Sequence, residues 1–269
     1  MKNRKIVFLA IFLAISAVYV ISPKSQVVSI QGPSLIIPIL AVLIGVYASK
    51  IYGLKSANGR ALLLVTGGLA CWSVGEIILY LSGNFISSVS LDSSIASVFF
   101  LLAYPFFGAS IYQGYVTAGI KLKTVNKSLF YVVSLASIIL TIFVAYFGVY
   151  RAYNPSANLL TNAINIGYGV GDLILVIASL FTILLASEYR GGKLAVFWKS
   201  IALGFFVTLM ADVLFAVYGD QVLAGVKPYL YIDLIWTAGY MFLAFAITEN
   251  YLYVSAVQKN IKLKLLQRS

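Results

Sequence analysis

The sequence is poor in charge and in the residues that most often hold metals. Only 10% of its 269 residues are Asp, Glu, Lys or Arg, against about 25% in a soluble domain, so too few polar side chains are present to cover a water-facing surface. It has no histidine and one cysteine, Cys71, which excludes an imidazole base, a histidine ligand to haem, the usual zinc ligands and an intramolecular disulfide. Any catalysis is left to carboxylates, Ser, Thr, Tyr or Lys, and we expect no cofactor and no metal site.

Apolar runs make up most of the chain. Hydrophobic residues account for 61% of it, and the mean hydropathy is +0.97. A helix that crosses a membrane needs about 20 mostly apolar residues. About eight such runs occur, over residues 6–21, 34–51, 61–81, 95–112, 128–150, 166–186, 201–218 and 230–248. We predict an all-α, multi-pass protein of the cell membrane, with about eight transmembrane helices in one membrane domain (1–269) and the lipid bilayer as a partner.

The basic residues predict the orientation of these helices. Of the 19 Lys and Arg residues, only Lys24, Arg151 and Lys227 fall on one side, and the other 16 fall on the opposite side. Because positively charged loops stay in the cytoplasm, we expect both termini there. The net charge of +11 is then a consequence of topology, and no nucleic-acid partner is predicted. Residues 250–269 form a basic cytoplasmic tail, which either extends the last helix, lies on anionic headgroups or docks a cytoplasmic signalling protein.

Short motifs recur in the two halves of the chain at an offset of 136 residues. The matched residues are Gly68 with Gly204, Glu76 with Asp212, Ser97 with Asp233, and Tyr104 with Tyr240. Four spans return the chain to the side on which it started, so such halves are parallel repeats related by an axis along the membrane normal. We predict two four-helix repeats, over residues 5–113 and 128–249.

Four carboxyl side chains fall inside or at the mouths of the predicted spans: Glu76, Asp172, Asp212 and Asp233. A charge at the bilayer centre costs about 2.5–3.5 kcal/mol, so these side chains are expected to face protein or water. Their positions along the spans put all four within about 10 Å of the outer surface, at 1.5 Å per residue. Polar and aromatic residues that we expect beside them complete a candidate ligand-binding set: Trp72, Ser97, Tyr104, Asn165 and Tyr240. Tyr168 and Trp236 follow on the same helical faces.

The acids have no Lys or Arg beside them at that depth in the spans. One interpretation is a network of protonated carboxyl groups that hydrogen-bonds the helices together. A second is a pocket open to the outside, suited to a cationic or polyhydroxyl small molecule. A third is a pathway for protons or ions.

Two stretches carry a resemblance to a known class of protein. Residues 72–76 read WSVGE, and residues 94–105 read SIASVFFLLAYP. These motifs resemble the multi-span sensory modules that precede diguanylate cyclase or histidine kinase domains, which typically read W-x-x-G-D and then A-D-x-F-x-x-x-Y-P. Ser97 stands where those modules usually have an acid, and no cyclase or kinase domain follows. The resemblance implies a sensor module that stands alone and signals through a separate partner.

Three functions are compatible with these features. The first, which we favour, is a non-catalytic sensor or receptor-like module with an acidic outward pocket. The second is a membrane lipid hydrolase of the lysoplasmalogenase type, in which paired carboxylates activate water; Gly75–Glu76 and Ala211–Asp212 are loosely similar to its Gly-Asp motif. The third is a small proton- or cation-coupled transporter.

Overall fold

The chain folds into eight long helices. The computed structural model describes residues 2–21, 27–85, 92–118, 126–151, 153–156, 158–188, 192–224 and 226–267. Its helices are α1 (Lys2–Ile21), α2 (Val27–Tyr52), α3 (Ala57–Phe85), α4 (Asp92–Ala118), α5 (Lys127–Val144), α6 (Leu159–Glu188), α7 (Lys193–Leu223) and α8 (Ile232–Leu266). A π-helical turn (Ala145–Tyr150) follows α5, and a 3₁₀ turn (Tyr229–Tyr231) precedes α8. No strand occurs in the described ranges.

All eight helices are long and apolar enough to cross a membrane, which confirms the predicted number and type of spans. Several helices extend beyond the predicted apolar runs. For example, α6 begins at Leu159 rather than at residue 166, and α8 continues to Leu266 rather than ending at residue 248. The beginning of the basic tail is therefore a helical extension of α8, because the backbone hydrogen bonds of a helix do not depend on side-chain polarity.

Two sets of three helices form the centre of the bundle. Helix α3 packs between α2 and α4, and α7 packs between α6 and α8. Contacts of α2 with α8 and of α4 with α6 join the two sets. Helices α1 and α5 lie on the periphery, since only 11% of the span residues in each are buried, against 56% in α8.

The core between the two sets is aromatic, and glycines on α3 and α7 leave room for its large side chains. The ring of Phe107 on α4 lies 4.9 Å from that of Phe205 on α7, measured between centroids. A Cβ atom at Gly68 would lie 2.6 Å from Phe107, and one at Gly204 would lie 2.7 Å from Leu243. Small residues at these crossings therefore allow the large side chains to reach the facing helix, as is typical of membrane helices.

One ion pair joins the first and last helices. Arg4 Nε on α1 lies 3.0 Å from Glu249 Oε1 on α8, whose side chain is 4% exposed. The contact is ionic rather than an aligned hydrogen bond. Because α2 ends near this level with Lys50 in its last turn and α3 begins here with Arg60, we call it the basic end of the bundle. The opposite end is the one at which α3 and α7 end and α8 begins.

Candidate functional site

Five helices bring polar and aromatic side chains together between the core and the opposite end. We call this group the carboxyl–aromatic cluster. Its members are Trp72 and Glu76 on α3, Ser97 and Tyr104 on α4, Tyr168 and Asp172 on α6, Asp212 on α7, and Asp233, Trp236 and Tyr240 on α8. The four predicted acids therefore converge with Trp72, Ser97, Tyr104 and Tyr240. The remaining predicted residue, Asn165, lies two turns before Asp172 on α6.

Two buried tyrosines each donate a hydrogen bond to an acid on another helix. The Tyr240 hydroxyl donates to Glu76 Oε1 at 2.7 Å, which ties α8 to α3. The Tyr104 hydroxyl donates to Asp172 Oδ1 at 3.2 Å, which ties α4 to α6. Both tyrosines are almost fully buried, so these hydroxyl groups find protein partners where water has little access.

Two of the acids contact each other. The carboxyl groups of Asp172 and Asp212 lie within hydrogen-bonding reach of each other, and Trp236 Nε1 donates to Asp212 Oδ1 at 2.8 Å. Two ionised carboxylates in contact repel each other strongly away from water. The pair therefore has to hold a proton or a cation between its oxygens, as the sequence interpretation required of acids without a basic partner.

The partners of three cluster acids are neutral donors. Glu76, Asp172 and Asp212 are bonded to phenol, indole and carboxyl groups rather than to Lys or Arg. Within the described ranges, no three His, Cys, Asp or Glu side chains are arranged to hold a metal ion. The arrangement is suited to accepting hydrogen bonds from a donor-rich ligand or to exchanging a proton.

An aromatic wall closes the cluster on the side of the basic end. Trp72 lies one turn from Glu76 on α3, and its ring faces those of Tyr104 and Tyr240 at centroid distances of 6.4 and 5.8 Å. Phe107 stands behind Trp72 at 4.7 Å. Trp72 and Phe107 are buried, so the acids lie against an apolar wall.

The rim of the cluster, on the side of the opposite end, is less enclosed. Ser97, Tyr168, Glu76, Asp212 and Asp233 are only half-buried. The hydroxyl groups of Ser97 and Tyr168 are hydrogen-bonded to each other across α4 and α6. The cluster is thus more tightly enclosed at its aromatic wall than at its rim.

Glycines on α6 allow other elements to reach Asp172. A Cβ atom at Gly171 would overlap the ring of Tyr104, and one at Gly169 would overlap the backbone of Gly148 in the π-helical turn. A Cβ atom at Gly148 would in turn lie 4.0 Å from Asp172 Oδ2. The sequence did not predict which partners these glycines contact.

The acids lie deeper from the helix ends than the predicted spans implied. Glu76 lies nine residues before the end of α3, and Asp212 lies 11 before the end of α7. Asp172 lies 13 residues after the start of α6. At 1.5 Å per residue these are about 14, 17 and 20 Å, so only Asp233, at the start of α8, is within about 10 Å of a helix end. These distances run to helix ends, which lie beyond the predicted apolar runs of α3, α6 and α7; the predicted depth of about 10 Å below the membrane surface stays a prediction.

Two members of the cluster were absent from the predicted ligand-binding set. Tyr168 and Trp236 bond to Ser97 and Asp212, respectively. Their signal in the sequence is helical spacing, because Tyr168 stands four residues before Asp172 and Trp236 four residues before Tyr240. Residues four apart share one face of a helix, and that rule would have included both.

Similarity to known proteins assigns no function to the carboxyl–aromatic cluster. No family model matches the chain, and no curated protein or solved structure matches it. Function resides in sites rather than in folds. The function of this chain is therefore inferred from the geometry and chemistry of the cluster.

Proposed function

We propose that this protein is a membrane sensor that receives its signal at the carboxyl–aromatic cluster. The single observation that carries the proposal is the pair of bonds from Tyr240 to Glu76 and from Tyr104 to Asp172. Each bond joins helices of different halves of the chain. A ligand or proton that alters the carboxyl groups therefore alters how the two halves pack.

The proposed input is a small donor-rich molecule, cationic or polyhydroxylated, that enters from the outside. Its N–H or O–H groups would bond the oxygens of Asp172 and Asp212 and replace the proton or cation that these acids share. A ligand can shift a conformational equilibrium only by binding one state better than the other. The bond of Tyr104 supplies such a difference, since Tyr104 and the ligand compete for the oxygens of Asp172.

The proposed output is a movement of α8. This helix carries Tyr240 and Trp236 in the cluster and runs without a break to Leu266. A shift of its cluster end is therefore transmitted along one rigid element to the basic tail. We propose that the tail contacts a cytoplasmic signalling protein, as the resemblance to sensory modules implies.

The proposal includes an internal repeat and an orientation in the membrane. The contacts of α3 with α2 and α4 have counterparts in those of α7 with α6 and α8. Gly68 packs against Phe107, and Gly204 packs against Leu243, at the same offset of 136 residues in both members. These matches support repeats over residues 5–113 and 128–249. The bias of basic residues supports cytoplasmic termini, with the cluster nearer the outside.

A thermal-shift screen of the purified protein tests the sensor. The compounds are sodium, magnesium, spermidine and a neutral disaccharide, each added to the wild type and to a Glu76→Gln/Asp212→Asn double variant. A compound at a hundredfold excess over its Kd stabilises by about 2.7 kcal/mol, which raises Tm by several degrees. Glu249→Gln, which removes a carboxylate at the basic end, is the control and should respond like the wild type. The proposal is abandoned if no compound stabilises the wild type more than the double variant.

The Asp172–Asp212 contact favours one second function, the hydrolysis of a membrane lipid. A carboxyl pair that shares one proton provides an acid and a base side by side, and the base can activate water. Turnover of lysophospholipid by the purified protein, lost in Asp212→Asn and retained in Glu249→Gln, would establish it. Absence of turnover in the wild type would remove this alternative.

A further inference from the structure

An apolar groove runs along the outside of the bundle between α4 and α6. Its volume is about 430 Å³. Gly108, Ile111 and Tyr112 line it from α4, and Ile174, Ile177 and Phe181 line it from α6. The groove lies within the spans of both helices, and Tyr112 and Ile177 are 70% and 42% exposed. Its mouth therefore faces the hydrocarbon of the bilayer.

Two hydrogen bonds between α4 and α6 mark the ends of this groove. Tyr104 donates to Asp172 at the end nearest the carboxyl–aromatic cluster. Tyr115 donates to the carbonyl oxygen of Phe181 at 2.5 Å at the other end, toward the basic end of the bundle. The lining of the groove extends over seven residues on each helix, from Gly108 to Tyr115 and from Ile174 to Phe181, which is about 10 Å. The hydrocarbon depth of one leaflet is about 15 Å, half of the 30 Å core, so the groove extends over about two thirds of one leaflet.

The size of the groove distinguishes a lipid chain from another helix. A helix about 10 Å wide, over the same length of about 10 Å, occupies roughly 800 Å³, nearly twice the volume of the groove. A single alkyl chain is far narrower. The space exists in part because position 108 is glycine: the nearest atom to a Cβ there would be Ile174 Cγ2, at 3.8 Å.

We infer that this groove binds one acyl chain of a membrane lipid, with the polar end of the lipid at the carboxyl–aromatic cluster. The chain runs from the level of Asp172 toward the level of Phe181. This is the direction of a lipid in the leaflet nearest the cluster, whose head lies toward the opposite end of the bundle and whose tail points to the midplane. The placement of the lipid head at the cluster rests on the proposed sensor function, and it identifies the signal of that sensor as an amphiphile. The binding of an acyl chain in the groove does not depend on the sensor function.

The polar end meets groups suited to a donor-bearing head. Tyr104 and Asp172 stand at the boundary between groove and cluster, and Asp212 lies behind them. A hydroxyl or amine on the lipid head can donate to the Asp172 oxygen that accepts from Tyr104. The lipid then replaces a bond between α4 and α6, the same two helices that its chain separates.

Photolabelling with two lipids tests both the groove and the direction of the chain. The full-length protein is reconstituted in phosphatidylcholine vesicles that contain a small fraction of phosphatidylethanolamine, whose ammonium head can donate hydrogen bonds, with a diazirine in one chain. The diazirine lies near the glycerol in one probe and near the chain terminus in the other. We expect the first to label the level of Gly108 and Ile174, and the second to label the level of Tyr115 and Phe181. Labelling should exceed several-fold that of the exposed residue Leu135 on the peripheral helix α5.

Variants that fill the groove provide the control. Gly108→Leu and Ile177→Trp, from opposite walls, should each lower labelling of the groove several-fold. Gly219→Leu is the matched glycine substitution outside the groove, where a Cβ atom would lie 3.6 Å from its nearest neighbour, and should leave labelling unchanged. The inference is overturned if the groove labels no more than Leu135, if both filling variants label like the wild type, or if the two probes label in the reverse order.

The two proposals can fail separately. Groove labelling that persists in the Glu76→Gln/Asp212→Asn variant, together with a thermal-shift screen without a hit, would retain the lipid groove and remove the sensor function. A hit in that screen with no preferential labelling would do the converse.

Discussion

The hydroxyl of Tyr240 on α8 donates to Glu76 on α3 at 2.7 Å, across 164 positions of the sequence. The same kind of bond joins Tyr104 to Asp172 across 68 positions. Both hydrogen bonds connect helices that are distant in the chain, and both lie where water has little access. The stability of the bundle and the properties of the cluster are therefore linked through single hydroxyl groups, and each can be removed without a change of shape.

Removing the Tyr240 hydroxyl should destabilise the bundle. A hydrogen bond between membrane helices contributes about 0.6 kcal/mol on average and up to about 1.7, and Tyr240 is buried, so we expect Tyr240→Phe to lie toward the upper value. The free energy of unfolding in detergent and denaturant measures it. Tyr112→Phe, at a tyrosine that is 70% exposed, should have no effect. A double variant Tyr240→Phe/Glu76→Gln that lost the sum of its single losses would show that the two groups are not coupled.

Replacing one acid of the Asp172–Asp212 pair should distinguish charge from packing. Asp212→Asn keeps an acceptor for Trp236 and can bond to Asp172 without a shared proton or cation, so we expect it to be neutral or stabilising. Asp212→Ala leaves the Trp236 N–H without its partner and should cost about 1–3 kcal/mol. Thermal unfolding of the three proteins side by side measures the difference. Equal losses in Asn and Ala variants would contradict the shared hydrogen bond.

The core glycines should not tolerate a methyl group. A Cβ atom at Gly68 or Gly204 would come within 2.6 or 2.7 Å of Phe107 or Leu243, so Gly68→Ala and Gly204→Ala should each cost about 1–3 kcal/mol through overpacking. Gly108→Ala is the control, since its Cβ atom meets ordinary contact at 3.8 Å. It should be neutral or slightly stabilising, because alanine favours a helix more than glycine does. The packing argument is refuted if Gly108→Ala lowers the free energy of unfolding more than Gly68→Ala and Gly204→Ala do.

The Arg4–Glu249 pair should hold α1 against α8. Arg4→Ala leaves a carboxylate that is 4% exposed without its cation, and we expect a loss of about 1–3 kcal/mol, less than for a fully buried pair because Arg4 is 37% exposed. Glu249→Gln in the same chain should restore part of it. Protease accessibility of α1 in nanodiscs provides a second readout. A double variant no more stable than Arg4→Ala would argue against the pair.

The proposed orientation can be tested with single cysteines. In a Cys71→Ser background, Lys227→Cys lies in the turn before α8 and Lys55→Cys in the turn between α2 and α3. A membrane-impermeant thiol reagent applied to intact cells should label the first and not the second, and both should label in permeabilised cells. The reverse pattern would invert the topology and put the cluster nearer the cytoplasm.

An exact repeat would pair the groups of the cluster differently from the structure. Tyr104 matches Tyr240, and Asp212 matches Glu76, so an exact repeat predicts that Tyr104 bonds to Asp212. In the structure, Tyr104 instead donates to Asp172. Asp212 contacts Asp172 and accepts a hydrogen bond from Trp236. The counterpart of Trp236 in the first half is Phe100, which has no N–H to donate. The proposed repeat is therefore inexact at the indole N–H that bonds Asp212.

The number and type of the helices could be predicted from the sequence. The length of an apolar run is a local property, so each span can be recognised without knowing which helices it packs against. The inward placement of the acids followed as well, since lipid excludes charge whichever partner covers it. The depth of Asp172, the partners of Tyr104 and Trp236 and the groove between α4 and α6 were decided by the tertiary structure alone. They depend on how far each helix extends and on its rotation and axial offset against its neighbours, which are set by close contacts at glycines such as Gly171 and Gly204. Those contacts join positions that no local pattern connects.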